Sequence, residues 1–448
     1  MLLALGKELA APRQAHVQKF DLENIRVLSQ HLGSPHRAVP SAHIAGTNGK
    51  GSTAAMLESI LRAAGLSTGL FISPHLERIN ERIRFNGEPI PDEEFAAEFS
   101  AVQSAIEALL ASGQLAAHPT FFECMTAMAF TAFTRRPVDF AVYEVGMGGR
   151  LDSTNILEPR VAVITQVDMD HENFLGHSIG EIAAEKAGII KPGDWVVSSA
   201  ERPEARAVIA RRAAELDARL VEIDSAWRIE SASDSSGFYR LTATPTDSDK
   251  SLDLKIPLRG RFQVRNALAA ATAAQLLAAR GFPINDEAIM QGIASVRWPG
   301  RLERLSENPL IYFDGAHNPA AARELAVFWQ EHLAGKRIWL VYGAMRDKAV
   351  DEIAGLLFPL VHEVIFTEPS QGRSISAPLL AEMTSHLARR WRVVSDSMKA
   401  LDLAISHAAP NDAIFVTGSL YLVGALRKRA KNRSKMDASD TPALFDPQ

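Results

Sequence analysis

The chain has 448 residues, of which 47% are hydrophobic and 23% are charged, and its formal net charge is -5. This length exceeds one ordinary hydrophobic core, so two domains are expected, and these proportions are typical of a soluble globular protein. The mild charge gives no electrostatic reason to expect a nucleic acid or an anionic membrane as a partner.

Three further features bear on where the protein works. The single cysteine, Cys124, rules out an internal disulfide and fits a reducing compartment. Residues 1–11 are apolar but include Lys7 and Glu8 and lack a basic leader, so a signal peptide is not expected. No run of about 18 apolar residues is present to span a membrane. We therefore expect a cytoplasmic protein.

Strand-like and helix-like segments alternate through the first two-thirds of the chain. A strand is predicted at Ala42–Ala45 and a helix at Ser52–Ala64, which Gly65 ends. Two short strands rich in β-branched residues follow at Phe140–Val145 and Val161–Val167. Both run into polar residues or glycine, as buried parallel strands do beside a ligand.

Two helices complete this part of the chain. Ser178 and Glu181 form a capping box for a helix that runs to about Ala187. Residues Asn266–Ala279 are rich in alanine and are also predicted to be helical. Between these helices, residues 231–253 are rich in Ser, Asp and Thr, and they are predicted to form a hairpin or a surface loop.

A break at Arg297–Arg301 contains one proline and one glycine, which interrupt any helix there. The alternation of strands and helices then restarts, with strands predicted at Leu310–Phe313, Ile338–Tyr342, Val364–Thr367 and Ala413–Thr417. We therefore predict two α/β units, residues 1–298 and 299–428, followed by a disordered tail at residues 429–448.

The strongest local signal is the segment Ala45-Gly-Thr-Asn-Gly-Lys-Gly-Ser52, between a predicted strand and a predicted helix. A glycine-rich turn there can direct several backbone N–H groups at phosphate oxygens, and the helix N-terminus adds positive potential. Lys50 would neutralise the β- and γ-phosphates, and Ser52 or Thr53 would bind phosphate or magnesium. The segment departs from the general P-loop pattern because Gly51 occupies the usual Ser/Thr position. The alternative interpretation is a glycine-rich turn that happens to contain a lysine.

Two strand ends carry polar residues that suit a metal. Glu144 ends one strand, which is the usual position for a magnesium ligand beside a phosphate loop. A solvated or salt-bridged glutamate is the alternative. His171 follows the next strand among three carboxylates, so a metal or phosphate role and a structural role are both open. Lys186 lies on the following helix, where a solvated surface lysine is the simpler interpretation.

Together these motifs resemble the folylpolyglutamate synthase/dihydrofolate synthase branch of the Mur ligase superfamily. Residues Gly46–Ser52 match its ATP loop, Ser73–Ile83 resemble its flexible loop, and Glu144–Asp152 resemble its second diagnostic motif. The resemblance covers the chain from about residue 20 to about residue 425. Its further segments are residues 170–176, 185–188, 298–301, 314–319, 347–348 and 417–419.

The resemblance implies a P-loop-type ATP-binding α/β domain with a mostly parallel sheet, followed by a smaller Rossmann-like domain, with the active site in the cleft between them. It implies an ATP-dependent ligase that adds L-glutamate to dihydropteroate, to (poly)glutamylated folates, or to both. We expect the enzyme to act as a monomer on small-molecule substrates. The cofactors would be ATP and Mg²⁺, with two ions. Catalysis would rest on Lys50, Glu144, His171 and Lys186.

The resemblance also implies a set of binding residues. The ATP set is Gly46, Thr47, Asn48, Gly49, Lys50, Gly51, Ser52, Asn266, Arg301, Asp314 and His317. The metal set is Ser73, Glu144 and His171, with Lys186, which corresponds to a lysine that the family carries as a carbamate. The folate set is Arg82, Phe122 and Asp152.

Two other functions compete with this interpretation. A peptidoglycan Mur ligase shares the ATP loop but joins an amino acid or peptide to a UDP-sugar acid, and the motifs at Ser73–Ile83 and Glu144–Asp152 disfavour it. A P-loop ATPase that acts as a switch or binding module would hydrolyse ATP without any amino acid. Phosphate release that depends on glutamate and on a pterin acid would distinguish the ligase from the switch.

Overall fold

The computed structural model describes residues 21–234, 236–427 and 430. The chain divides into two compact units between Trp298 and Pro299, inside the predicted break at Arg297–Arg301. Gly300 has a φ of +74° at this point, a backbone conformation that glycine adopts readily. The predictions for residues 1–11 and for the tail at 429–448 lie outside the described residues, apart from Ala430.

The first unit is built on a sheet of eight strands. These are β1 (Ser41–Ala45), β2 (Thr68–Phe71), β3 (Ile83–Phe85), β4 (Glu88–Pro89), β5 (Phe140–Glu144), β6 (Val161–Ile164), β7 (Trp195–Ser198) and β8 (Arg219–Glu222). They lie in the order β4-β3-β2-β5-β1-β6-β7-β8. The six strands from β2 to β8 in this order are parallel, and β3 and β4 add an antiparallel edge. The mostly parallel sheet predicted from the family resemblance is confirmed.

The central strands are apolar and buried along their whole length, as strands covered by helices on both faces must be. The predicted strands at Ala42–Ala45 and Phe140–Val145 are confirmed to within one residue at each end. The strand predicted at Val161–Val167 ends earlier, at Ile164. Beyond Ile164 the chain also bonds the phosphate loop: Thr165 donates its N–H to Ala45 of β1 and its hydroxyl to the Asn48 carbonyl, and the Gln166 carbonyl accepts from Thr47 N–H.

Ten helices accompany the strands in the described part of this unit. They are α1 (Glu23–His31), α2 (Lys50–Ala63), α3 (Asp92–Ala111), α4 (Phe121–Arg135), α5 (Glu172–Leu175), α6 (Ile179–Ala187), α7 (Pro203–Glu215), α8 (Ile223–Ala226), α9 (Phe262–Ala279) and α10 (Asp286–Ser295). Residues of α2, α9 and α10 share one hydrophobic core with Ala42 and Ile44 of β1. The opposite face of the sheet is covered by α3 and α4 at one end and by α6 and α7 at the other.

Small residues set how closely these helices approach. The alanines of α9 are buried, and a Cβ added at Gly292 of α10 would lie 2.4 Å from the Cα of Ile60 in α2. The helices predicted at Ser52–Ala64 and Asn266–Ala279 are confirmed, although each begins earlier than predicted. The first turn of α2 contains Lys50 and Ser52 of the glycine-rich loop, and the early turns of α9 contain Asn266, a predicted ATP-binding residue.

Residues 227–256 form a separate three-stranded antiparallel sheet. Its strands are β9 (Trp227–Ser233), β10 (Tyr239–Pro245) and β11 (Leu252–Ile256), in the order β11-β10-β9. The hairpin alternative predicted for residues 231–253 is therefore correct, and the surface-loop alternative is wrong. Alternate residues of β11 are buried and join the core that contains α10. This one-sided burial stabilises strands whose other residues are polar.

The second unit is a smaller α/β domain with a six-stranded sheet. The strands are β12 (Glu303–Glu307), β13 (Leu310–Phe313), β14 (Ile338–Tyr342), β15 (Glu363–Glu368), β16 (Trp391–Asp396) and β17 (Ala413–Thr417), in the order β12-β13-β17-β14-β15-β16. All neighbouring strands are parallel except the β12–β13 hairpin. The sheet is accompanied by helices α11 (Pro319–His332), α12 (Val350–Leu357), α13 (Ala377–Thr384) and α14 (Ser397–His407). The Rossmann-like second domain and its four predicted strands are confirmed.

In the part of the chain that the structure describes, no helix is both long enough and apolar enough to cross a membrane.

Candidate active site

The glycine-rich loop joins the central strand β1 to helix α2. Gly46 and Gly49 have φ values of +153° and +87°, which side-chain-bearing residues rarely adopt. Helix α2 begins at Lys50, and the first N–H groups of a helix point out of its N-terminus. The loop thus has the geometry of an anion site at a helix N-terminus.

The loop is fastened to the residues that follow β6. The Thr165 hydroxyl donates to the Asn48 carbonyl at 2.7 Å, and Thr47 N–H donates to the Gln166 carbonyl at 2.7 Å. A Cβ at Gly46 would lie 1.8 Å from Thr165 Oγ1, so the hydroxyl occupies the space that a side chain would need. These contacts fix the shape of the loop.

Helix α9 supports the other side of the loop. The Asn266 Oδ1 lies 2.3 Å from where a Cβ of Gly49 would stand, so the predicted ATP residue Asn266 packs directly on the loop. Asn266 also accepts from Thr53 Oγ1 at 3.5 Å and donates to Gln263 Oε1 at 2.9 Å. Gln263 in turn donates to Ser52 Oγ at 3.4 Å.

Sequence reasoning missed Thr165 and Gln263 as site residues. Gln263 precedes Asn266 by three positions, which places both on one face of a helix, and that spacing could have indicated it. Thr165 gives no such signal, because only the pairing of β1 with β6 brings it to the loop.

Two lysines meet at the loop. Lys50 Nζ and Lys186 Nζ each donate to the Gly46 carbonyl oxygen at 2.9 Å, and Lys50 also donates to the Thr47 carbonyl at 3.2 Å. Lys186 is only 3% exposed, so the interpretation as a solvated surface lysine is wrong. Burial, and next the Lys50 charge, lower the pKa of Lys186 to about 7, against the opposing effect of Asp170 and Glu185.

Helix α6 places Lys186 by close backbone packing. Its N-cap is Ser178, which accepts from Glu181 N–H at 3.2 Å, and the Glu181 carboxylate accepts from the Ser178 hydroxyl at 3.0 Å. The end of α6 lies against residues Gly146–Gly149, the glycine segment that follows β5. A Cβ at Gly149 would stand 2.6 Å from the Glu185 carbonyl and 3.0 Å from the Lys186 Cα. A side chain at position 149 would clash with the backbone of α6, so glycine at this position allows Lys186 to lie where it does.

The predicted metal ligands lie at strand ends. Glu144 ends β5, is 5% exposed, and accepts from the Ser73 backbone N–H at 3.1 Å, so two predicted ligands are adjacent. His171 has a left-handed φ of +52°, and its Nε2 lies 4.0 Å from Asp170 Oδ1. Among the described residues no three His, Cys, Asp or Glu side chains converge on one point. The buried carboxylate beside a serine fits a hard cation, which prefers oxygen ligands, and the full ligand set stays a prediction.

The predicted folate residues lie around the glycine segment and the Ser73–Ile83 loop. The Phe122 ring covers Gly146, where an added Cβ would be 2.5 Å from the ring. The buried Arg82 donates from Nε to His75 Nδ1 at 3.0 Å, and its guanidinium lies 5.2 Å from the centre of the Phe121 ring. Burial, and next the Arg82 charge, lower the pKa of His75 to about 4, so His75 is a neutral acceptor near neutral pH.

The third folate candidate, Asp152, uses both of its carboxylate oxygens to bond the protein. Oδ2 accepts from the N–H groups of Gly146 and Met147 at 2.9 and 3.0 Å, and Oδ1 accepts from Thr154 N–H and Oγ1 at 3.0 and 2.5 Å. Burial raises the pKa of Asp152, and these hydrogen bonds oppose the rise. Asp152 therefore fixes the shape of the glycine segment. A contact between Asp152 and folate stays a prediction.

The second unit brings Arg301, Asp314 and His317 together after β13. Asp314 accepts from the N–H groups of Leu302 and Ala316, both at 2.8 Å. Burial raises the pKa of Asp314, and the Arg301 charge opposes this. His317 Nδ1 lies 2.7 Å from the Gly315 carbonyl oxygen, which can only accept, so Nδ1 carries a proton. A Cβ at Gly315 would stand 2.4 Å from Arg301 Nη1.

The chain resembles known ligases over nearly its whole length. The model of the Mur ligase middle domain matches residues 44–274, and that of the Mur ligase glutamate ligase domain matches residues 300–420. A dihydrofolate synthase/folylpolyglutamate synthase of Bacillus subtilis is 37% identical over 425 residues, covering 92% of this chain and 95% of the relative. The Escherichia coli protein of the same name is 35% identical and covers 94% of each chain.

Solved structures agree with the sequence relatives. A Mycobacterium tuberculosis folylpolyglutamate synthase complexed with ADP and AMPPCP has a TM-score of 0.84, with 32% identity and 100% coverage of both chains. An E. coli protein in complex with DHPP and ADP also has a TM-score of 0.84, with 30% identity and coverage of 97% of this chain and 98% of that one.

Proposed function

The chain belongs to the Mur ligase family, in its dihydrofolate synthase/folylpolyglutamate synthase branch, and from this premise we propose how its residues carry out ligation. It is an ATP-dependent enzyme that ligates glutamate in folate metabolism. The peptidoglycan alternative is not favoured, and the relatives' names indicate a ligase rather than a switch. The observation that carries the proposed mechanism is the meeting of Lys50 and Lys186 at the Gly46 carbonyl.

The chemical problem is to make a carboxylate react with an amine. A carboxylate oxygen is a poor leaving group, so the folate carboxylate first attacks the γ-phosphorus of ATP, and ADP leaves. The resulting acyl phosphate is attacked at its carbonyl carbon by the glutamate amine, an amide forms, the amine loses a proton, and phosphate leaves. The protein's part is to position the reactants and to neutralise charge on the transferred phosphoryl group.

The loop supplies the first part of that charge neutralisation. Its N–H groups and the N-terminus of α2 would face the ATP phosphates. Lys50, whose ammonium already lies at the loop carbonyls, would move to the β- and γ-phosphates. Because Thr165 and Asn266 hold the loop in shape, little reorganisation is needed when ATP binds.

We infer that Ser73, Glu144 and His171 hold Mg²⁺, with two ions in the site. Bound Mg²⁺ would withdraw charge from the phosphate oxygens and orient them for transfer. The support is the buried Glu144 carboxylate beside Ser73. Lys186 would act as a carbamate and supply further oxygen ligands, and the support is its burial and its pKa of about 7.

We propose that the folate acid is held between Phe122 and Arg82. Phe122 offers a ring face at Gly146, which suits the flat pterin or benzoyl group. Arg82 offers a guanidinium that a carboxylate would pair with. In the second unit, Arg301, Asp314 and His317 would bind the nucleotide, as the resemblance implies. We further propose that the enzyme works as a monomer in the cytoplasm without nucleic acid or membrane partners.

Product analysis tests the proposed function. Purified protein, ATP and glutamate are incubated separately with dihydropteroate, tetrahydrofolate and a UDP-MurNAc acid, and the products are identified by mass spectrometry. We expect a glutamylated product from one or both pterin acids, none from the sugar acid, and phosphate release only when glutamate and a pterin acid are both present. Phosphate release without glutamate, or ligation to the sugar acid, would overturn it. Light scattering of the same sample tests the monomer.

A further inference from the structure

His43 is a buried histidine in the middle of the central strand, three residues before Gly46. It is 0% exposed, and its neighbours across the sheet are Tyr143 of β5 and Ala162 of β6. Because side chains alternate along a strand, it faces away from the core that contains Ala42 and Ile44. A polar ring in this position requires a partner, since an unpaired buried polar group is costly.

The partner of His43 is Thr154, in the short 3₁₀ turn Ser153–Ile156 that follows the glycine segment. His43 Nε2 lies 2.8 Å from Thr154 Oγ1, and Thr154 Oγ1 donates to Asp152 Oδ1 at 2.5 Å. The hydroxyl has one proton, which it gives to the carboxylate. His43 must therefore donate from Nε2–H to Thr154, and its Nδ1 is left as the unprotonated nitrogen.

The Asp152 carboxylate connects Thr154 to the glycine segment. Its Oδ2 accepts from the backbone N–H groups of Gly146 and Met147. Gly146 lies under the Phe122 ring, and Gly149 lies against the backbone of Lys186. The three side chains His43, Thr154 and Asp152 thus connect the strand that carries the phosphate loop with the segment on which both groups rest.

We propose that His43 is a positioning residue for the ligation step. Its Nε2–H fixes Thr154, and Thr154 through Asp152 fixes the Gly146–Gly149 segment between the folate site and Lys186. This inference rests on the proposed function, because it takes Phe122 as part of the folate site and Lys186 as part of the phosphoryl-transfer site. His43 itself touches neither group and is not a catalytic residue.

The role predicts a pattern of kinetic effects that a purely structural histidine would not give. His43→Leu removes the Nε2–H donor, and Thr154→Val removes the hydroxyl that bonds both His43 and Asp152. In either variant the glycine segment loses its fixed position. We expect each to raise the KM for the folate acid and to lower kcat, each by about tenfold, while the affinity for an ATP analogue stays unchanged. His43→Gln keeps an N–H donor and Thr154→Ser keeps the hydroxyl, so both should recover most of the loss.

Thr272→Val provides the matched control. Thr272 is a second buried threonine whose hydroxyl accepts from an aromatic ring N–H, that of Trp227 at 2.9 Å, and donates to a backbone carbonyl. It lies in α9, away from the glycine segment. The control should lower the melting temperature as the test variants do, and it should leave the KM for the folate acid and kcat unchanged.

The decisive experiment combines kinetics with nitrogen NMR of histidine-labelled full-length protein. We expect the His43 ring to show a protonated Nε2 and an unprotonated Nδ1 that stay unchanged between about pH 5 and pH 8. A protonated Nδ1, or folded His43→Leu and Thr154→Val proteins with wild-type KM and kcat, would overturn the proposal, as would failure of the two conservative variants to recover activity. If the wild-type protein forms no glutamylated product, the proposed function fails. The NMR result would still show whether His43 donates from Nε2–H to Thr154.

Discussion

Lys50 and Lys186 donate to the same acceptor, the carbonyl oxygen of Gly46, each at 2.9 Å. Two ammonium groups this close repel each other, and the repulsion is strong where water is excluded. The Lys50 charge is accordingly one cause of the lowered pKa of Lys186, after burial. The arrangement is suited to a polyanion at the loop, or to a Lys186 that is itself uncharged or negative.

The first prediction concerns Lys50→Ala. Removing the cation should leave the fold intact, because the head group lies at the loop carbonyls of Gly46 and Thr47 and not in a hydrophobic core, and should lower turnover by about a hundredfold or more. Steady-state ligation and thermal unfolding measure the two effects. Lys250→Ala, which removes an exposed lysine that pairs with Asp286, is the control. A folded Lys50→Ala protein that keeps more than about a tenth of the wild-type turnover would contradict the role of Lys50 in phosphate binding.

The second prediction concerns the metal ligands. Glu144→Ala and His171→Ala should each raise the Mg²⁺ concentration needed for half-maximal rate by about tenfold or more, because each removes a proposed ligand. Magnesium titrations at saturating ATP and folate measure this. Glu172→Ala, which changes an exposed neighbour of His171, should behave as wild type. An unchanged Mg²⁺ requirement in both test variants would make the two residues structural.

Features of the fold and site that depend on neighbouring residues could be predicted from the sequence, whereas features that depend on contacts between distant segments could not. The strands around Ile44 and Val163 are local apolar runs, and the loop glycines and Lys50 form one continuous motif, so both were predictable. The sequence of residues 231–253 fits either a hairpin or a surface loop, because the one-sided burial of the strands there depends on contact with helix α10, which lies later in the chain. The burial of Lys186 was not predictable either, since it depends on the approach of Gly149 to the end of α6.

The third prediction concerns Thr165, the loop contact that sequence reasoning missed. Thr165→Val keeps the shape but leaves the Asn48 carbonyl without this donor, which costs about 1–3 kcal/mol when the group is buried. The loop should then be less well ordered, and the affinity for an ATP analogue should fall about fivefold or more. Calorimetric titration measures it, and Thr165→Ser, which keeps the hydroxyl, should bind as wild type. Equal affinity in the Val and Ser proteins would show that the loop holds its shape without Thr165.

The fourth prediction concerns acid stability and His43. Burial, and next the Lys191 charge, lower the pKa of His43 from 6.5 to about 3. Between these values the unfolded chain binds a proton that the folded chain does not, so this group makes stability fall as pH drops below 6.5, by up to about 1.4 kcal/mol per pH unit. His43→Gln lacks this contribution. Its unfolding free energy should therefore fall less steeply than that of wild type between about pH 6.5 and pH 4, as measured by urea unfolding, whereas His31→Gln, at an exposed position, should follow wild type.

The last prediction is that Lys186 works as an anion. A bare ammonium beside Mg²⁺ and Lys50 would be repelled, whereas carbon dioxide adds to the neutral amine, releases a proton and leaves a carbamate with two oxygen ligands. With a pKa of about 7, much of the amine is neutral at pH 7 and more of it as pH rises, so burial prepares the residue for this reaction.

Three measurements test that prediction together. Lys186→Ala should lose activity, and acetate should partly restore it by replacing the carbamate, whereas Lys186→Arg keeps a positive charge and should be as inactive as Ala. Wild-type protein freed of carbon dioxide should lose activity and regain it with bicarbonate, and ¹³C-labelled bicarbonate should give a carbamate signal in the NMR spectrum that is absent from Lys186→Ala. A fully active Arg variant, or a wild-type spectrum without that signal under conditions of full activity, would mean that Lys186 acts as a cation that pairs with phosphate.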